Sequence, residues 1–169
     1  LDVGDRVGLV AFNDKELVEL KPQRSQQTVL SILSILLRMN HGLRIGDGTL
    51  AAPEALNRAL TRAARMAPHD ALVVIVTDFF GIDERTERLA ARLAAHNDVL
   101  GLLVHDPIRM DPRGGHIGIC DGNGDAQISL DLTDGRVRQA LADDYAREQQ
   151  RTAHFLRGLS APLLPISNE

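Results

Sequence analysis

Asp78 stands directly after the apolar run Ala71 to Thr77, and Thr49 stands directly before an Ala/Leu-rich stretch that reads as a helix. Strands of an open α/β sheet deliver functional groups at their carboxyl ends, where a third loop carrying Asn13 and Asp14 is also expected to arrive. A hydroxyl and a carboxylate converging there are hard oxygen donors suited to Mg²⁺ or Mn²⁺, with water filling the remaining positions. The same two residues also read as helix caps, because Asp and Thr commonly accept hydrogen bonds from the first turn of a following helix. Phe79 and Phe80 follow Asp78 and supply two of the four phenylalanines in the chain. Exposed beside a metal they would suit a protein-binding rim; buried, they would pack under the next helix.

Other chemistry is less well supported. His105 and Asp106 end a second apolar run and could serve a metal-assisted α/β hydrolase together with Asp78, but no GxSxG or CxxC motif accompanies them. Asp121, Asn123 and Asp125 alternate like the start of a calcium loop, yet Ala126 replaces the required glycine and Leu132 the bidentate glutamate. Gly46-Asp47-Gly48 lacks the lysine of a P-loop and the third glycine of a dinucleotide fingerprint. Cys120, the sole cysteine, lies in a short apolar strand and reads as a small hydrophobe.

The elements that position these groups follow from periodicity. Val7 to Ala11 is apolar on both faces and reads as a buried strand, with Glu16 to Leu20 returning antiparallel as an edge strand ended by Pro22. Ser25 is placed to cap a helix whose Val29, Ile32, Leu33, Leu36 and Leu37 share helical spacing, ending near Asn40 to Gly42. Leu50 to Met66 forms a second helix with Leu56, Leu60 and Ala63 on one face. Strand Ala71 to Thr77, helix Asp83 to His96 and strand Val99 to His105 then make a βαβ unit with parallel strands. The turn-rich stretch from Pro107 predicts a small hairpin, and Asp134 to about Gly158 a closing helix with a charged, solvated face. The expected fold is therefore a single α/β domain over residues 1–169, a doubly wound, mostly parallel sheet with one antiparallel edge strand and helices on both faces.

Composition narrows the function classes. Hydrophobic residues make up 44% and charged residues 25%, ordinary for a globular protein. No apolar run approaches the roughly 20 residues of a membrane span. A net charge of -4, with aromatic residues at 3% and no tryptophan, argues against nucleic acid as a partner. A lone cysteine fits a reducing compartment, and a cytoplasmic location is expected.

The order Gly4-Asp5-Arg6-Val7-Gly8-Leu9-Val10-Ala11-Phe12, then Gly48-Thr49 before a helix, then Val73-Val74-Ile75-Val76-Thr77-Asp78-Phe79, resembles the von Willebrand factor A-like domain. More narrowly it is similar to the bacterial family called domain of unknown function 58, with support from Asp98-Val99, His105-Asp106-Pro107, Arg138, Tyr145 and Arg151. The resemblance implies a Rossmann-like doubly wound fold and a metal-ion-dependent adhesion site built from a DxSxS triplet, a threonine and an aspartate. Thr49 and Asp78 match the last two, and Asp47 is placed to assist from a second shell. The triplet has no match; its strand and helix are expected ahead of Leu1, which leaves the chain lacking the first strand of that fold and its metal binding weak. The resemblance further implies a non-enzymatic protein-interaction module working with a MoxR-type AAA+ ATPase in protein assembly or maturation.

Overall fold

In a computed structural model, residues 4–13, 15–42, 52–105, 115–120 and 127–167 are described. The first hairpin pairs β1 (Val7–Phe12) with β2 (Leu17–Gln23) antiparallel. Strand β2 runs through Pro22 instead of stopping before it. Between Val7↔Gln23 and Leu9↔Leu20 the register shifts, with the extra residue on β2. A bulge there, on a strand that pairs with β1 alone among the described residues, tolerates a residue that donates no hydrogen bond. Gly8 is required opposite it, since a Cβ at that position would lie 2.9 Å from the Leu20 carbonyl oxygen and 3.0 Å from the Pro22 nitrogen.

Helix α1 (Gln26–His41) starts where expected, with Ser25 Oγ accepting the Gln27 N–H at 3.1 Å, and Gly42 ends it. Its apolar positions do not all meet the core: Val29 and Ile32 are half-buried. Thr28 and Met39 are buried, whereas Leu30, Leu33, Leu36 and Leu37 are exposed. Helix α2 (Ala52–Met66) buries Leu56 and Leu60 as its periodicity requires.

Strand β3 (Leu72–Thr77), helix α3 (Glu84–Ala94) and strand β4 (Asp98–His105) form the expected parallel βαβ unit. Asn97 ties its ends together. The Asn97 amide donates to the Ala67 and Leu93 carbonyls at 3.1 and 2.9 Å, and its oxygen accepts the Ala71 N–H at 3.0 Å. One side chain thus joins the end of α2, the end of α3 and the start of β3. Asn97→Ala is expected to cost about 2 kcal/mol, because partly buried backbone groups lose their partners; denaturant unfolding of wild type and variant measures it.

The hairpin of β5 (His116–Cys120) and β6 (Gln127–Asp131) is antiparallel as expected, and α4 (Gly135–Gly158) follows with Asp134 as its cap. The turn carrying Asp121 to Ala126 lies outside the described residues. A strand that the sequence reading did not anticipate ends the structure. β7 (Leu163–Ser167) pairs parallel to β4 from Gly101↔Leu163 to His105↔Ser167. Pro165 within it masks the strand signal, and β7 accommodates it by lying at the edge of the sheet among the described residues.

The single mixed sheet of the sequence reading is divided. β3, β4 and β7 make one parallel sheet in the order β3-β4-β7, while the β1-β2 and β5-β6 pairs are hydrogen-bonded separately. Helices α2, α3 and α4 contribute Leu56, Leu60, Ala90, Leu93, Phe155 and Leu156 to one core with Ile75, Val99 and Leu103 of the sheet. All three strand residues lie on one face by the parallel register. The alternate residues Leu72, Val74, Val76, Leu164 and Ile166 are exposed, so the expected helical cover on both faces of this sheet is found on one face among the described residues.

Candidate functional site at the carboxyl edge of the sheet

Strand β3 delivers Asp78 to the carboxyl edge, as its position in the sequence requires. The chain then turns sharply. Phe79 takes φ 55° and Gly81 φ 71°, both in the left-handed region. Such a conformation is uncommon for a bulky residue and persists only where packing holds it. Here Phe79 is buried, with its ring centroid 6.2 Å from that of Phe155 at an interplanar angle of 56°. Phe80 points the other way and is 55% exposed. The two phenylalanines therefore divide the two readings between them: one packs in the core, the other stands on the surface.

The Asp78 carboxylate closes this turn. Its Oδ1 accepts the Phe80 N–H at 3.1 Å and the Thr77 hydroxyl at 3.3 Å, while Thr77 Oγ1 accepts the Phe79 N–H at 3.4 Å. Oδ2 has no hydrogen-bond partner among the described residues, and Asp78 is exposed. The helix-capping role considered for Asp78 belongs to Asp83, whose carboxylate accepts the Thr86 N–H at 2.7 Å and the Thr86 hydroxyl at 2.9 Å. In return Thr86 Oγ1 accepts the Asp83 N–H at 3.3 Å, completing a reciprocal capping box.

Asn13 is committed locally. Its Oδ1 accepts the Lys15 and Glu16 N–H groups at 2.9 and 2.7 Å, closing the β1-β2 turn. Asp14, Asp47 and Thr49 lie outside the described residues, and so does Asp106. His105 ends β4, with Nδ1 buried and unpartnered and its ring 6.4 Å from that of Tyr145. No hydrogen bond joins His105 to Asp78 among the described residues. Three carboxylate, cysteine or histidine side chains do not converge anywhere among them either. The described donors thus amount to one free carboxylate oxygen, fewer than the six or so that a hard divalent cation requires. Thr49, from outside them, is the second ligand that the sequence offers.

The sequence reading missed a polar network behind this edge. Asn57 of α2 is 1% exposed and donates its amide to both Asp83 oxygens at 3.2 and 3.3 Å, linking α2 to the cap of α3. Its own Oδ1 is unpartnered. The available signal was a lone amide among the apolar residues of the buried helix face. The Thr86 backbone bond, the Thr86 hydroxyl and the Asn57 amide hold the Asp83 carboxyl below its ordinary value, by favouring the ionised form. The Thr133 hydroxyl at 2.6 Å, then its N–H at 2.8 Å, do the same for Asp131 where β6 turns into α4.

A three-stranded parallel sheet with helices, two separately paired antiparallel hairpins and a strand-end carboxylate define an α/β protein. The chain belongs to the family described as Protein of unknown function DUF58, whose model matches residues 1–151. β7 lies beyond the matched span. No curated protein matches the chain, and no solved structure does. No described helix is long and apolar enough to cross a membrane.

Proposed function

We propose that this chain is a protein-interaction module of the von Willebrand A type, which binds a partner at the carboxyl edge of its sheet. The observation that carries the proposal is the turn after β3. There a strained, buried Phe79 anchors the backbone, so that the free Asp78 Oδ2 and the exposed Phe80 stand side by side. A rigid carboxylate beside an apolar ring suits recognition of another protein surface, since interfaces combine aromatic anchors with oriented polar groups.

Asp78 and Thr49 are the residues that would hold Mg²⁺ or Mn²⁺. A bound ion would supply positive charge to attract a carboxylate of the partner, whose hard oxygen matches such cations. Family resemblance supports a MoxR-type AAA+ ATPase as the associated machine and protein assembly or maturation as the process. Cytoplasmic placement belongs to the same proposal.

Calorimetric titration of Mg²⁺ and Mn²⁺ into the natural polypeptide containing these residues tests the metal-dependent part. Binding is expected in the wild type and at least 10-fold weaker binding in Asp78→Ala, because a ligating carboxylate is lost. Equal binding by the two proteins, or none by either, overturns it. Phe80→Ala serves as the second arm: it is expected to leave metal binding unchanged and to weaken capture of the partner ATPase.

A further inference from the structure

We infer that α1 is a dimerisation helix: its outward leucine stripe packs antiparallel against the same stripe of a second copy of this chain, about a two-fold axis beside Leu33. The inference is independent of Asp78 and of any metal.

The stripe does not face the core that α1 already serves. α1 packs on the β1-β2 hairpin, with Thr28 and Met39 buried and Ile32 and Ile35 half-buried. On the opposite side of the helix, Gln26, Leu30, Leu33, Leu37 and Asn40 recur at spacings of four, three, four and three, which is the seam of a helix pair. The three leucines are 56%, 57% and 57% exposed, and Leu36 beside them is 44% exposed. At about 3.6 residues per turn the two sides lie nearly half a circle apart. No small tilt of α1 on its hairpin can bury both.

Charge identifies the occupant. From Gln26 to Leu37 the helix carries no charged side chain, and Arg38 is engaged by Glu16 of its own chain at 3.1 Å. Helix partners are selected by the charges that flank an apolar seam. α1 offers none to select a foreign helix and none to repel an identical one. Ser34 sits between Leu30 and Leu37 and donates its hydroxyl to the Leu30 carbonyl at 2.9 Å, so covering it leaves no donor unpaired. An isologous contact requires a patch complementary to itself, and an uncharged leucine stripe meets that requirement. With the copies antiparallel about Leu33, Leu30 of each meets Leu36 and Leu37 of the other, Gln26 meets Asn40 as amide to amide, and the helix dipoles oppose one another. The parallel arrangement would set Arg38 beside Arg38.

The area suits a weak dimer. Each of the four leucines has on the order of 100 Å² left to bury, about 800 Å² between two copies. With Gln26, Ser34 and Asn40 at the rim the contact reaches about 1,000 Å², the lower bound for a specific interface. The exposed sheet face around Val76 has no such match to itself, because parallel sheets are covered by helices. It serves as the control surface.

Analytical ultracentrifugation over a concentration series tests the inference. The wild type is expected to pass from monomer to dimer with a dissociation constant on the order of 10 µM. Leu33→Lys should weaken that dimer by roughly 100-fold or more, because it sets two like charges on the axis of an apolar contact. Val76→Lys, on the sheet face, should leave the constant within about twofold of wild type. Crosslinking reads the arrangement directly and does not depend on how Leu33→Lys folds: in a Cys120→Ser background, Leu33→Cys should give a disulfide-linked dimer on air oxidation and Val76→Cys should not, since only residues beside the axis bring two Cβ atoms close enough. A wild type that stays monomeric up to about 300 µM overturns the inference. So does a dimer broken by Val76→Lys and not by Leu33→Lys, or a dimer in which Leu33→Cys fails to crosslink.

Discussion

Replacing Gly101 by valine is expected to destabilise the protein by about 3 kcal/mol, the upper part of the range for overpacking a well-filled core. Gly101 lies in β4, the central strand of the parallel sheet, and donates its N–H to the Pro162 carbonyl at 2.9 Å. A Cβ there would fall 2.5 Å from Leu156 Cδ1 and 3.4 Å from Phe79 Cζ. Leu156 is 1% exposed and belongs to the cluster that includes Leu93, Val99, Leu103 and Phe155, so its retreat disturbs the contact between α4 and the sheet. Leu156→Ala alone should cost about 3 kcal/mol by opening a cavity. The pair should couple: Gly101→Ala in the Leu156→Ala background should cost about 1 kcal/mol less than in wild type, because the deleted methyls vacate the space that the new Cβ needs. Urea unfolding of wild type, Gly101→Val, Gly101→Ala, Leu156→Ala and the double variant measures each figure. An additive cycle would mean that the backbone, not Leu156, absorbs the new methyl.

The second large effect is expected at the capping box of α3. Thr86 is fully buried, and its hydroxyl both donates to Asp83 Oδ1 and accepts the Asp83 N–H. Thr86→Val keeps the shape and removes both bonds, and should cost about 2 kcal/mol. Asp83→Asn addresses the charge. The folded-state carboxyl titrates below its ordinary value of 3.8, held there by the Thr86 N–H, the Thr86 hydroxyl and the Asn57 amide. Its stabilising contribution is therefore complete above pH 3.8 and is lost as the pH falls through the lowered value. Stability profiles of wild type and Asp83→Asn should run parallel above about pH 5 and converge below the ordinary carboxylate range. Parallel profiles throughout acid would show that the charge at Asp83 contributes nothing to the cap.

Much of this structure follows from local chemistry. Ser25 and Asp134 begin helices because their side chains accept from the first turn. The βαβ unit is legible because two apolar runs of strand length flank a helix with Ala90 and Leu93 on one side. Asp78 at the end of β3 follows from the same pattern. What that carboxylate does was not legible: capping and ligation use the same atoms, and only the backbone path through Phe79 and Gly81 showed that Asp83 caps α3 while Asp78 keeps Oδ2 free.

Contacts between distant residues decided the remainder. Periodicity grouped the leucines of α1 on one face but could not say whether that face meets the core, since burial depends on what lies opposite. Those leucines are exposed, and Thr28 and Met39 face inward. β7 was hidden because Pro165 lowers strand propensity, and its pairing with β4 is non-local. Where the helices and strands form, and which residue ends β3, could be read from the chain because caps, turns and periodicity act over a few neighbouring residues. Sheet order, the division of the strand groups and the uncovered apolar face join residues far apart in the chain, and only folding could set them.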